Sequence, residues 1–405
     1  MESIYYVMCF ACHRRCKHCY EDRFRPYVRD ELAAVVAEAK ANYARIIDHF
    51  PDRMTYLDLT DPAEDGTLPE KTGRVILSGG EALLDPLRAE VTYKVVERLT
   101  AKYARHGGVK IVVQTTGDLL DERTVTGLLQ RGVYMISVAG VDDYHVGMEG
   151  PEKQRRFMDD LTRLFEAAGM KRSGLAHTER QWHEEEGPLF NFFGATDDSW
   201  IGKLWPRGRA WTNSLSRATL ADNFCDRWSG GLNFLRHRYS GSEVSVEPTG
   251  DVYPCCIKTR RPIGNLVDEP LIEILDSLVG EPAFEAISTG HPERMGLAYG
   301  WSIEDFLARS RTRKPGGKLY ANLCIGCDAF PRGDAFRCGT GGATAVARAI
   351  DHRPQRREGL NESSLLVTEA DGLSLPQPHR YADSSWSAAA RVAISAPSSR
   401  TSSGR

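Results

Sequence analysis

Cys12-His13-Arg14-Arg15-Cys16-Lys17-His18-Cys19-Tyr20 sets three cysteines at steps of four and three residues. Three thiolates so placed can hold three irons of a cubane 4Fe–4S cluster and leave the fourth iron open. An open iron is what a catalytic cluster needs in order to bind a small molecule. Two plainer readings use the same residues. Offsets of four and seven fall on one face of a helix. A zinc ion needs one further ligand, which His13, His18 or Cys9 would supply.

Outward from this stretch the chain alternates strand and helix signals. Residues 3–8 are short and apolar, a first strand that ends just before the cysteines. Asp30 opens a long helix over 31–50, with Leu32, Val35, Val36 and Ala39 on one face. Residues 51–73 read as loop, rich in Asp, Pro and Gly. A second strand over 74–77 ends in Ser78-Gly79-Gly80. A helix over 87–105, a strand over 109–113, a helix opened by Asp121, a strand over 133–138 and a helix over 151–168 follow. Residues 189–193 read as a fifth strand, and no sixth is evident. Repeated βα units imply a parallel sheet or barrel with catalytic loops at the strand C-termini.

From about residue 215 the pattern changes. Residues 244–246 and 252–253 flank Pro248-Thr249-Gly250 as a β-hairpin. A short helix follows near 271–278, and 281–317 is mixed with weak helical signal. Past Cys338 the chain turns to Gly, Ala and Ser, so most of the tail is expected to be disordered, with Leu365, Leu366 and Val367 as its one apolar patch.

The bulk numbers exclude some function classes. The chain has 405 residues, 41% hydrophobic and 26% charged, enough for two domains with a sizeable core. The net charge of −3 gives no electrostatic reason to propose nucleic acid or an anionic membrane as partner. No apolar run reaches the roughly 18 residues that span a bilayer. The stretch before Cys12 is too short for a secretory signal, so a cytoplasmic location is expected. In a reducing compartment, ten cysteines suggest metal or catalysis more than disulfides.

The Cys12-Cys16-Cys19 segment resembles the radical S-adenosylmethionine (SAM) family, whose cluster loop is Cys-x3-Cys-x2-Cys after the first strand. The resemblance covers roughly residues 3–215. In that family the open iron chelates the amino and carboxylate groups of SAM. One electron then cleaves SAM to methionine and a 5′-deoxyadenosyl radical, which takes a hydrogen atom from substrate. By the same resemblance His18 stands where the family places an aromatic residue near the adenine. Gly79-Gly80-Glu81 resembles the Gly-Gly-Glu-Pro element that meets the methionyl amino group, with Ala82 in place of proline. Two glycines let a ligand approach the backbone closely, and Glu81 can accept from an ammonium. Gln114-Thr115-Thr116-Gly117 resembles a Thr-Asn-Gly element, which brings in Thr116. Ser137, at the end of its strand, stands where a ribose contact is common, with Asp142 and Asp143 nearby. Gly208-Arg209-Ala210 resembles an element near the end of the core, and Arg209 is suited to pairing a carboxylate or to a surface salt bridge.

A second region resembles the C-terminal auxiliary-cluster domains of the family, called SPASM or, in shorter form, twitch. Gly250 with Cys255 fits their Gly-x4-Cys element, and Cys324-Ile325-Gly326-Cys327 comes later. Setting aside the core three and Cys9 leaves six cysteines for this half, whereas the full two-cluster domain uses seven. One auxiliary 4Fe–4S cluster on Cys225, Cys255, Cys324 and Cys327 is therefore expected. Cys256 is the alternative to Cys255, and a structural zinc site is the plainer reading. Cys338 is a candidate hydrogen-atom donor, and Cys9 has the same option.

The fold expected is α/β: a partial (β/α)6 TIM-like radical SAM barrel over 1–215, a small α+β SPASM/twitch-like Fe–S domain over 216–340, and a largely disordered tail over 341–405. The reaction expected is hydrogen abstraction from an unactivated C–H bond, ending in oxidation, epimerisation, decarboxylation or cross-linking. The substrate is a carbohydrate or nucleoside intermediate or a ribosomal peptide. With only eleven residues before Cys12, no leader-recognition domain is expected there, which tilts the reading towards the former. The implied partners are that substrate and an electron donor such as flavodoxin or ferredoxin. A noncatalytic iron–sulfur carrier or zinc-stabilised binding protein is the rival class; the Gly79-Gly80-Glu81 element argues against it.

Overall fold

A computed structural model describes residues 1–58, 62–174, 185–197, 199–227 and 243–330. The chain divides into two units, Met1–Thr340 and Gly341–Arg405. The described residues all lie in the first. Cys338 and the Leu365–Val367 patch fall outside them.

Strand β1 (Ser3–Val7) is buried along its whole length. Its near-continuous apolar run is what a strand covered on both faces requires. It pairs in parallel with β4 (Arg74–Ser78), which pairs in parallel with β5 (Lys110–Thr115), and so on through β6 (Val133–Ala139) and β8 (Leu189–Phe193). The two-residue strand β7 (Lys171–Arg172) closes that edge, parallel to β8. It is the sixth strand that the sequence does not reveal. Two residues give no alternation to detect, and both side chains are exposed.

The helices follow the sequence signals closely. They are α1 (Arg29–Asp48), α2 (Tyr93–Tyr103), α3 (Glu122–Gln130) and α4 (Pro151–Ala167). Asp121 caps α3, its side chain accepting from the Thr124 amide at 2.7 Å. A π-helical turn, Arg88–Thr92, leads into α2 where a continuous α-helix is expected. The 51–73 segment is not all loop: β2 (Thr55–Leu57) and β3 (Glu70–Thr72) form an antiparallel pair. Three-residue strands are too short to carry a periodic signal. This pair is held by tertiary contacts such as Lys71 to Asp58 at 2.6 Å.

The hairpin near 244–253 does not stand apart from the first sheet. Strand β9 (Glu243–Val246) lies parallel to β1, with Ile4 opposite Val244 and Tyr6 opposite Val246. β10 (Asp251–Tyr253) and β11 (Gly264–Asn265) then extend the sheet antiparallel. The full order is β11-β10-β9-β1-β4-β5-β6-β8-β7. Beyond it come α5 (Gly208–Thr212), α6 (Phe224–Arg227), α7 (Leu271–Asp276), α8 (Pro282–Ser288) and α9 (Ile303–Arg309). The short pair β12 (Arg311–Arg313) and β13 (Leu319–Ala321) precedes α10 (Leu323–Ala329). The α9 signal that looks weak in sequence is fixed by a reciprocal Ser302–Asp305 capping box.

Alternation along β1 sorts the core. Ile4 and Tyr6 join the cluster under the helices with Val75, Leu77, Val95, Leu99 and Phe165. Tyr5 and Val7 point to the other face and join Cys12, Trp205, Phe224, Cys255 and Cys256. The period of two thus directs one face of β1 to the scaffold and the other to the cysteines.

Candidate active site

The three N-terminal cysteines lie at the C-terminal ends of β1, β4 and β5. There they line one cavity of about 870 Å³, counted out to open solvent. Its walls also include His18, Gly79, Gly80, Thr116 and Arg209. Glu81 and Ser137 are buried just behind it, at 1% and 3% exposure.

The glycines turn out to serve the cluster loop itself. A Cβ on Gly80 would stand 2.1 Å from the Ala11 carbonyl oxygen and 2.8 Å from the Cys12 Cβ, and one on Gly79 would stand 2.6 Å from the Cys9 oxygen. The Gly80 amide donates to Cys9 O at 3.0 Å and the Glu81 amide to Ala11 O at 2.9 Å. The loop therefore rests on bare backbone, which only glycine allows at this spacing.

Glu81 links this loop to the next strand. Its Oε1 accepts from Thr115 Oγ1 at 2.7 Å and from the Leu83 amide at 2.9 Å. Its Oε2 accepts from the Thr116 amide and lies 2.7 Å from Thr116 Oγ1. That same hydroxyl is 2.5 Å from Asp118 Oδ1. A hydroxyl has one proton, so it cannot donate to both carboxylates at once. Asp118 is answered on its other oxygen by Arg14 Nη2 at 2.8 Å and His13 Nε2 at 2.7 Å. Burial opposes its ionisation, but His13, Thr116 and Arg14 outweigh it and hold the carboxyl well below the usual range. Among the described residues Glu81 makes no ion pair with a lysine or arginine, and its carboxylate lies within 4.8 Å of ring nitrogen and carboxylate atoms of His13 and Asp118. A buried carboxylate without such an ion pair, beside a hydroxyl short of a proton, is a place for an incoming ammonium. Close by, Arg14 Nη1 is buried and has no partner. An anionic group would satisfy it.

Arg209 does not meet a carboxylate. Its Nε donates to Cys16 O at 2.8 Å, Nη1 to Asp22 O at 2.9 Å and Nη2 to Phe24 O at 2.7 Å. The guanidinium is spent on shaping the cysteine loop, and among the described residues it makes no ion pair with a side-chain carboxylate. Ser137 donates to Asn191 Oδ1 at 2.6 Å, between β6 and β8. His18 packs edge-on to His145, ring centroids 4.4 Å apart. Burial and the neighbouring His145 pull the His18 imidazole down to about 4, and its Nδ1 has no partner.

The sequence reading passed over several residues here. Arg14 lies inside the cysteine stretch itself. Asp118 closes the Thr116-Gly117 turn. His145 also lines the cavity, with its Nδ1 2.9 Å from Asp142 Oδ1. The three-residue step from Asp142 to His145 was the available signal. Tyr5, Trp200, Trp205 and Phe193 form the aromatic part of the wall and carry no sequence signal distinct from core packing.

Burial pushes the Cys12 thiol up to about 12 and Cys19 up to about 11. Such thiols ionise only when something binds them, as a metal does by displacing the proton.

The second cysteine set also converges. Cys225 on α6, Cys255 after β10, and Cys324 and Cys327 on α10 line one pocket of about 400 Å³ with Arg207, Lys258 and Phe224. Cys256 is absent from that lining. Asn322 caps α10, accepting from the Cys324 amide at 2.9 Å. Arg207 pairs with Asp328 at 2.8 Å and brings positive charge beside the four sulfurs. Four thiols around one pocket fit a four-cysteine iron–sulfur group, and the three on the first loop fit a cluster with an open iron.

Residues 238–294 match the SPASM family, an iron–sulfur cluster-binding domain. The match assigns an iron–sulfur cluster-binding segment to this part of the chain, which carries Cys255 and Cys256. The structure is similar to BtrN in complex with AdoMet and 2-DOIA, at 14% identity and a TM-score of 0.40, covering 72% of this chain and 88% of that one. It is also similar to anSMEcpe with bound AdoMet, at 16% identity and a TM-score of 0.36, covering 68% and 77%. SuiB of Streptococcus suis bound to S-adenosylmethionine is similar at 13% identity and a TM-score of 0.35, covering 75% and 73%. Likeness at this level says nothing of substrate. No curated protein sequence matches the chain. Among the described residues no helix is long and apolar enough to cross a membrane.

Proposed function

We propose that the chain is a radical SAM enzyme. Cys12, Cys16 and Cys19 hold the SAM-binding cluster, and Cys225, Cys255, Cys324 and Cys327 hold one auxiliary cluster. The observation that carries this is the set of charged side chains beside the three cysteines. Arg14, whose buried Nη1 has no partner and suits a carboxylate, lines the cavity with the cysteines, and the carboxylates of Glu81 and Asp118 meet at Thr116 on the same wall, where an ammonium would be favoured. An iron–sulfur electron carrier has no use for such a set. When bound, the cluster and SAM supply one-electron cleavage of the sulfonium to methionine and a 5′-deoxyadenosyl radical, which takes a hydrogen atom from substrate.

The chain's own residues orient and enclose. Arg209 sets the loop, Gly79 and Gly80 admit it, and His18 offers a neutral ring for the adenine. Trp200, Trp205 and Phe193 keep water from the inner wall. The substrate is of carbohydrate or nucleoside type, with a ribosomal peptide as the alternative reading. An electron donor such as flavodoxin or ferredoxin supplies the first electron.

Anaerobically reconstituted protein, given SAM and dithionite, is expected to make 5′-deoxyadenosine. Replacing Cys12, Cys16 and Cys19 together with Ala abolishes that product and leaves about four irons on the second set. Unchanged turnover in the triple variant would sink the assignment. About one zinc and no iron in that variant would make the second set a structural zinc site.

A further inference from the structure

The two cysteine sets are gripped by residues two apart in sequence. Arg209 spends its donors on the N-terminal loop, at Cys16 O, Glu21 O, Asp22 O and Phe24 O. Arg207 reaches the opposite way. Its Nε donates to Ile257 O at 3.1 Å, just past Cys255, and its Nη2 to Lys258 O at 3.3 Å. Its Nη1 and Nη2 meet both oxygens of Asp328 at 2.8 and 3.0 Å, next to Cys327. Between them Gly208 sits at φ +49°, and a Cβ there would stand 2.4 Å from the Tyr20 carbonyl carbon and 2.6 Å from the Glu21 nitrogen. The peptide between the two arginines is thus pressed directly against the residue that follows Cys19.

A second tie runs alongside. Lys258 bridges Glu21 at 2.9 Å and Glu247 at 2.6 Å, and Arg23 bridges the same two carboxylates. That tie joins the N-terminal loop to the hairpin and to the loop after Cys256. Arg207 joins α10, with Cys324 and Cys327, to the segment that supports the N-terminal loop.

We propose that Arg207-Gly208-Arg209 is a positioning bridge between the two cysteine sets, so that filling the C-terminal set holds the N-terminal loop in the geometry that binds SAM. The inference rests on the two-cluster reading above. Neither arginine touches a reacting atom. Each acts on carbonyls or a carboxylate next to the cysteines, which places them among the outer contacts whose loss typically weakens a metal site about 10- to 100-fold. Linkage makes the effect mutual: a core site bound to SAM must retain the C-terminal cluster more tightly by the same factor.

The test is a double-mutant cycle on full-length reconstituted protein, read as the dissociation constant for SAM. Its signal is the change SAM makes in the electron paramagnetic resonance spectrum of the reduced N-terminal cluster. Emptying the C-terminal set with Cys324→Ala and Cys327→Ala is expected to weaken SAM binding about tenfold. In an Arg207→Gln background, which keeps all seven cysteines, SAM binding is already weakened. Emptying the set there adds less than a factor of about two. The proposal is overturned if emptying the set leaves SAM affinity unchanged, or if its effect is undiminished in the Arg207→Gln background. Should Arg207→Gln fail to fold, Arg207→Lys keeps the charge facing Asp328 but gives up the guanidinium fork, and the same cycle applies. About four irons in the unaltered protein would instead overturn the two-cluster reading. Failure of the bridge alone shows about eight irons and an unmoved affinity.

Discussion

Gly80→Ala is the sharpest single perturbation of the cluster loop. The new methyl would lie 2.1 Å from Ala11 O, 2.5 Å from Ala11 C and 2.8 Å from the Cys12 Cβ. Ordinary contact begins at 3.4 Å, so the 2.1 Å approach asks the two backbones to part by about 1.3 Å. Neither side yields easily. Ala11 is fully buried, and Gly80 follows a central strand. Parting them stretches the hydrogen bonds from the Gly80 amide to Cys9 O and from the Glu81 amide to Ala11 O. Overpacking costs about 1–3 kcal/mol and each strained hydrogen bond about 0.5–1.5 kcal/mol. The cost falls on the loop that carries Cys12, while the second cysteine set is untouched. A misplacement of about 1 Å in a reacting geometry costs roughly 100-fold in rate. The variant is therefore expected to make 5′-deoxyadenosine about 100-fold more slowly while keeping the auxiliary iron. The assay is anaerobic product formation by mass spectrometry alongside iron analysis. Turnover within about threefold of the unaltered protein would refute the view that Gly80 exists to seat the loop.

Arg14→Gln removes the donor aimed at an anionic group. Affinity for S-adenosylhomocysteine, measured by calorimetry, should fall roughly 10- to 100-fold, the scale of a hydrogen bond to a charged partner; an unchanged affinity would remove Arg14 from that role. Cys255→Ala should empty the auxiliary set, whereas Cys256→Ala should keep its four or so irons; the reverse pattern would exchange the two assignments. Burial opposes ionisation of Asp142, yet its hydrogen bond and charge interaction with His145 prevail and depress its pKa. A depressed carboxyl contributes stability that is present above the ordinary carboxylate range and lost as pH falls through and below it. Urea unfolding of the metal-free chain should therefore show a loss of stability on acidification that Asp142→Asn flattens; identical profiles would show that Asp142 does not titrate in that window.

What the sequence shows of this molecule follows the length of its signals. Central strands and long helices are legible because burial forces periodicity on many residues at once. Ser3–Val7, Arg74–Ser78 and Leu189–Phe193 fall within a residue or so of where the apolar runs place them. Short elements are not legible. The Thr55–Leu57 and Glu70–Thr72 pair and the two-residue edge strand depend on neighbours that no local pattern records. The cysteine loop is legible because metal chemistry imposes its spacing on contiguous residues. The rest of the site is assembled across strands, and there sequence supplies residue types without partners. Arg209 is the clearest case. Its charge suggests a carboxylate, but the fold places it among backbone carbonyls whose acceptors the loop cannot satisfy internally. A buried guanidinium goes where acceptors are unmet, and a loop bent around three cysteines leaves several.

The pairing of β9 with β1 carries the same reasoning to larger scale. A hairpin read as the start of a separate segment is the next strand of the first sheet, with Val244 and Val246 in register with Ile4 and Tyr6. Strand β1 would otherwise be an unpaired edge of apolar residues, a liability for any soluble sheet. Covering it with β9 buries that edge, and β10 then runs back antiparallel along β9 before the chain reaches Cys255. Sheet pairing, not only side-chain contact, therefore anchors the segment that carries Cys255 to the strand that carries the Cys12 loop. Changes that weaken β9, such as a proline at Ser245, should disturb both sets together.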